Sequence, residues 1–119
     1  MGKRAVVWIG SSRHNIRAFP EEVRVAMGHA LHVAQIGGRH PNAKPLTGYR
    51  GAGVLELMED HDGDTYRAVY TLRFAEVVYV LHAYKKKSRK GIATPREDAR
   101  LIEKRLKDAE QMHAERMRS

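Results

Sequence analysis

The stretch from Glu56 to Lys90 carries a carboxylate (Glu56), a guanidinium (Arg67), an imidazole (His82), a phenol (Tyr84) and a run of amines led by Lys85, Lys86 and Lys87. Cutting a phosphodiester without a metal needs a base to take the proton of the attacking hydroxyl. It also needs cations to hold the phosphate as charge develops, and an acid for the leaving oxygen. These residue types supply all three. Arg67 suits the phosphate clamp, because a planar guanidinium grips two oxygens at once and an ammonium does not. Glu56 or His82 suits the base, with the other, or Lys86, as the acid. Tyr84 either joins them or stacks on a base, as aromatics in RNA-binding proteins do. With a 2′-hydroxyl as nucleophile the product is a 2′,3′-cyclic phosphate.

Two strands must deliver these groups to one face. At the strand period of two, Tyr66, Ala68, Tyr70 and Leu72 form a more apolar set than Arg67, Val69, Thr71 and Arg73, and Val80, His82 and Tyr84 alternate with Tyr79, Leu81 and Ala83. A two-residue turn at Ala75-Glu76 sets Val69 opposite His82 and Arg67 opposite Tyr84. Asp62-Gly63 predicts the preceding hairpin, which puts Met58 opposite Arg67 and adds Glu56 to the reactive face. The result is a three-stranded meander with one apolar and one reactive side, and a slip of one residue in either hairpin would scatter the set.

The remaining elements frame this meander. Lys3 to Ile9 reads as a buried strand ended by Gly10, followed by a basic loop with Arg13, His14 and Arg17. Pro20, Glu21 and Glu22 open a helix whose Val23, Met27, Ala30, Leu31 and Ala34 share a face, and Gly37-Gly38 close it. Residues 37–53 hold five of the ten glycines and two of the four prolines, and read as a long loop that carries Arg39, His40, Lys44 and Arg50. After a basic linker over 85–90, Thr94-Pro95-Arg96-Glu97 has capping-box spacing, and a second helix runs from about Pro95 towards Met117 with Ala99, Ile102, Leu106 and Ala109 as its stripe. The predicted fold is one α+β domain over residues 1–119. It is an antiparallel, twisted sheet of about four strands with both helices on its apolar face.

The chain has 119 residues, no cysteine, and 22 Lys and Arg against 14 Asp and Glu, a formal charge of +8. That length supports one core without staples, and the missing cysteines exclude disulfide and thiolate chemistry. The charge draws polyanions, with nucleic acid, an anionic membrane surface and an acidic protein as candidates. No apolar run reaches the length of a membrane span and no signal-peptide pattern opens the chain, so the expected location is the cytoplasm. His29 and His32 lack the partners of a zinc site, and Asp60, Asp62 and Asp64 do not fit a calcium loop. No metal or cofactor is expected.

Four segments carry a resemblance: WIGSSRHNIRAFPEEVR, KPLTGYRGAGVLELMEDHDGDTYRAVYTLRF, VVYVLHAYKKKSRKGIATP and RLIEKRL. With these the chain resembles the phage-derived, HigB-like branch of the RelE/ParE toxin superfamily, over nearly its whole length. The resemblance implies a compact toxin fold, an endoribonuclease that cuts mRNA on the translating ribosome, and a neutralising helix-turn-helix antitoxin. It matches Arg67 to the superfamily's sheet arginine and HAYKKK to its catalytic and RNA-contacting terminal strand. Where the branch more often reads HAF followed by Gln-Lys-Lys, this chain has Tyr84 and Lys85. ParE-like members act instead on DNA gyrase without cutting RNA, so a toxin that binds a protein target is the alternative, and an inactive phage remnant is a third.

The expected catalytic set is thus Arg67, His82, Glu56, Tyr84 and Lys86. Lys44, Arg50, Arg73, Lys85, Lys87, Arg89 and Lys90 are expected to contact the RNA backbone. Each has a plainer reading. Glu56 and Arg67 make a cross-strand ion pair, His82 a half-buried strand residue with a satisfied ring, Tyr84 an edge aromatic, and the lysines a solvated run.

Overall fold

The structure is a computed structural model that describes residues 3–49, 53–87 and 94–118. Eight elements follow in order: β1 (Ala5–Trp8), α1 (Ser12–Arg17), α2 (Glu21–Gln35), β2 (Ala43–Pro45), β3 (Val54–His61), β4 (Asp64–Thr71), β5 (Val77–Lys87) and α3 (Arg96–Arg118). The α+β class is as expected from the sequence. The sheet, however, has five strands in the order β1-β5-β4-β3-β2 and is mixed, because β1 runs parallel to β5.

Helices cover both faces of this sheet, which corrects the expectation of one apolar face. Val23, Met27, Ala30, Leu31 and Ala34 of α2 pack with Leu55, Leu57, Ala68, Tyr70, Val78 and Val80. Ile102, Leu106 and Ala109 of α3 pack with Val54, Val69, Val77, Tyr79 and Leu81 on the other side. Neighbouring residues of β5 alternate between the two clusters, as the pleat requires. Both layers are hydrophobic, and burial of each helix stripe is what holds it to the sheet.

Asp62 and Gly63 both take positive φ, 49° and 81°, and close the β3–β4 hairpin with Met58 opposite Arg67 as expected. The β4–β5 connection differs. Residues 72–76 form it, in place of a two-residue turn, and the register shifts between Val69 and Tyr70: Val69 faces His82 while Tyr70 faces Val80. Leu81 is the extra residue of a β-bulge. The bulge offsets the changed turn, so Arg67 still lies opposite Tyr84. It also separates Val80, which joins the α2 layer, from His82 and Tyr84, which face α3.

Two segments read as loops are structured. Arg13, His14 and Arg17 belong to α1, which buries Ser12 and Ile16 and is tied to β5 by the Ser12 hydroxyl on the Val80 carbonyl (3.1 Å) and the Asn15 amide on the Ala83 carbonyl (2.9 Å). Lys44 sits in β2, opposite Glu56 of β3. The first strand, expected to be buried, is an edge strand of intermediate exposure.

Candidate active site

Alternation on β3, β4 and β5 brings Glu56, Arg67 and Tyr84 together on the α3 face, beyond the end of the hydrophobic layer. Arg67 Nη1 donates to Glu56 Oε2 at 3.2 Å, and the Tyr84 hydroxyl donates to the same oxygen at 3.4 Å. All three are nearly enclosed, at 4 %, 9 % and 9 % exposure for Arg67, Glu56 and Tyr84. Burial pushes the Tyr84 phenol above its ordinary range and the Glu56 charge pushes it further, while Arg67 and a hydrogen bond with Thr94 pull it back. Tyr84 is therefore a protonated donor at neutral pH.

Glu56 opens onto a groove of about 630 Å³, with Arg67 and Tyr84 bonded to it from behind. Glu56 lines it with Met58 from β3, Lys44 and Pro45 from β2, and Thr94 and Ala99 from the approach to α3 and its first turn. One ammonium and apolar walls beside an ion-paired carboxylate form a slot suited to a nucleotide.

His82 sits two residues from Tyr84 in a different setting. The two rings stack with centroids 5.3 Å apart, but His82 lies under α3, 4 % exposed, with both nitrogens engaged. Nε2 is 2.7 Å from Asp98 Oδ1 and Nδ1 is 2.9 Å from Arg105 Nη1. A guanidinium can only donate, so Nδ1 accepts and Nε2 carries the proton it gives to Asp98. Arg105 also donates to the Leu81 carbonyl (3.2 Å) and to the Ser11 hydroxyl (3.1 Å). Gly10, at φ 56°, makes room for it: a Cβ there would lie 2.7 Å from Arg105 Nε. The ring thus has no lone pair left for a substrate proton, and it pins α3 to β5.

The expected RNA contacts divide. Lys44 lines the groove, and alternation places Lys86 on the face of Tyr84. Lys85 is on the opposite face, 3.1 Å from Asp64 and over the Tyr66 ring. Arg73 lies past the far end of β4, ion-paired with Glu110 of α3. Arg50, Arg89 and Lys90, and the side chain of Lys87, lie outside the described residues. Sequence reasoning missed Thr94, Asp98 and Arg105. The signal for the last two was present, since Asp98, Ile102, Arg105 and Ala109 share one stripe of α3, and polar members of a buried stripe require partners. Among the described residues no group of three or more His, Cys, Asp or Glu could hold a metal ion, and no helix is long and apolar enough to cross a membrane.

Residues 14–107 match the family described as "Phage derived protein Gp49-like (DUF891)". The chain belongs to the Gp49-like family. No curated protein matches it. Among solved structures it is similar to a chain of the toxin-antitoxin complex RelBE2 from Mycobacterium tuberculosis, with 21% identity, a TM-score of 0.43, and coverage of 75% of this chain and 97% of that one. The Gp49-like match spans α2, the meander and the first half of α3, and so takes in every residue of the groove.

Proposed function

We propose that this Gp49-like protein is the toxin of a toxin-antitoxin pair and an endoribonuclease that cuts mRNA on the translating ribosome, in the cytoplasm, without a metal. The observation that carries this reading is the convergence of Arg67 and Tyr84 on one oxygen of Glu56, the carboxylate that lines the groove. Glu56 takes the proton of the 2′-hydroxyl. Arg67 turns from Glu56 to the phosphate as negative charge builds there, where a guanidinium is worth most in an enclosed site. In this chain the Tyr84 phenol, kept protonated by burial and by Glu56, gives its proton to the leaving 5′ oxygen, a role that the phenylalanine more usual in the HigB-like branch could not fill, and Lys44 and Lys86 hold the flanking phosphates. This assigns the acid to Tyr84 and leaves His82 with a positioning task. The motif resemblance to the HigB-like branch supplies the ribosomal substrate and a helix-turn-helix antitoxin, and the +8 charge suits an acidic antitoxin segment.

The test is controlled expression of wild type and Glu56→Gln with 5′-end mapping of mRNA within minutes of induction. Glutamine keeps the shape and the acceptor for Arg67 while removing the base. New in-frame ends in wild type alone support the reading. Growth arrest with intact mRNA transfers it to a toxin that binds a protein target.

A further inference from the structure

The groove does not end at α3. Ala99 is shared with a second depression of about 500 Å³ on the outer side of the helix, lined by Tyr49, Arg96, Arg100, Glu103, Lys104 and Lys107. Steps of three and four residues keep these on one stripe, and Arg96 to Lys107 spans roughly 16 Å at 1.5 Å per residue. Four cations face one carboxylate. Lys104 and Lys107 hold solvent-exposed ion pairs with Asp108 (3.1 Å) and Glu103 (4.0 Å), which exchange readily for a stronger anion. Among the described residues Arg96 and Arg100 make no ion pair, and both lie in the first turns of α3, the positive end of the helix dipole. Basic side chains there oppose the dipole, which Glu97 and Asp98 of the same turn offset in part, and they remain open to a further anion. The Tyr49 ring lies in the same depression, its hydroxyl donating to the Ala99 carbonyl at 3.4 Å.

We propose that this stripe is an RNA track: a single strand whose scissile phosphate sits over Glu56 crosses α3 at Ala99 and continues along Arg96, Arg100 and Lys104, with a base against Tyr49. The inference rests on the ribonuclease reading and extends it to the length of substrate held. A strand seated in the groove is what favours RNA over an acidic protein, because Ala99 borders both depressions and the stripe begins where such a strand would leave the groove.

The probes are two uncleavable 2′-O-methyl RNAs, a trinucleotide and a longer single strand, titrated at several salt concentrations. In Arg96→Gln/Arg100→Gln the longer strand should bind more weakly, with the salt slope smaller by about 1.4, at about 0.7 per lost phosphate contact. Trinucleotide affinity should hold. The charge-matched control is Arg13→Gln/Arg17→Gln, which removes two exposed cations from α1 and should keep the wild-type slope. An unchanged slope in the α3 variant, or an equal loss in the α1 variant, overturns the track. If wild type cuts RNA while the slope is unchanged, the track alone fails; if wild type neither binds nor cuts RNA, both readings fail.

Discussion

His82 and Tyr84 lie two residues apart on β5, face the same side and stack on each other, yet they belong to different parts of the molecule. Tyr84 bonds to Glu56, which lines an open groove, whereas His82 is sealed beneath α3 by Asp98 and Arg105. Residue type alone would favour the histidine for acid-base work. What decides is whether a lone pair or proton is left for a substrate, and α3 has claimed both of those of His82. A buried polar network that is fully satisfied rigidifies, while one that opens onto a groove can react.

The largest effects should come from the groove side. Glu56→Gln should lower cleavage per folded molecule roughly 10²–10⁴-fold, the usual contribution of a general base. It should also lower the unfolding midpoint, because the buried Arg67 guanidinium loses its counter-charge while keeping a hydrogen-bond acceptor. Arg67→Ala should instead strand a buried carboxylate and cost about 3–5 kcal/mol of stability, so loss of activity in that variant alone would say little. Urea unfolding beside single-turnover cleavage separates the two. Tyr84→Phe should keep the stacked ring and lose most of the rate. A wild-type rate in Tyr84→Phe would break the assignment of the acid.

On the sealed side the order reverses. Asp98→Ala removes one partner of a buried ring and should cost about 1–3 kcal/mol of stability, while the folded fraction keeps its cleavage rate per molecule. Gly10→Ala should behave alike, by forcing Arg105 off His82. A fall in cleavage without a fall in stability in either variant would return His82 to the chemistry. Smallest of all should be Arg73→Ala, whose pair with Glu110 is partly exposed, at no more than about 1 kcal/mol.

Alkaline pH tests the fold as a whole. Burial pushes Tyr70 up to about 12 and raises Tyr49, Tyr79 and Tyr84 above the ordinary 10.0. The folded state holds these protons more tightly than the unfolded chain, so their stabilisation is complete below pH 10 and is lost as pH rises from 10 towards 12. Urea midpoints across that window should fall in wild type and fall less in Tyr70→Phe.

Much of this was legible in the sequence because it is local. The hairpin at Asp62-Gly63 follows from φ > 0 residues between alternating runs, and it fixed Glu56 beside Arg67. The β4–β5 register at the site was also right, though for a partly wrong reason: the longer connection and the bulge at Leu81 offset one another. What was missed depends on distant partners. An apolar helix stripe does not say which face of a sheet it will cover, and both faces here are apolar, so the separation of α2 from α3 was hidden. β1 pairs in parallel with a strand far along the chain, and β2 is three residues ending in Pro45. The stripe of α3 signalled that Asp98 and Arg105 need buried partners, but that His82 is the partner follows only from the fold.

The parallel pairing of β1 with β5 also sets the timing of synthesis. Ala5 must wait for Val77, a separation of 72 residues, before it finds its partner, and Glu56 must wait for the first turn of α3 before its groove has a wall. At about 5–20 residues per second the N-terminal strand spends roughly 4–14 s unpaired. A nascent chain therefore has no assembled site until the first turn of α3 has emerged from the ribosome.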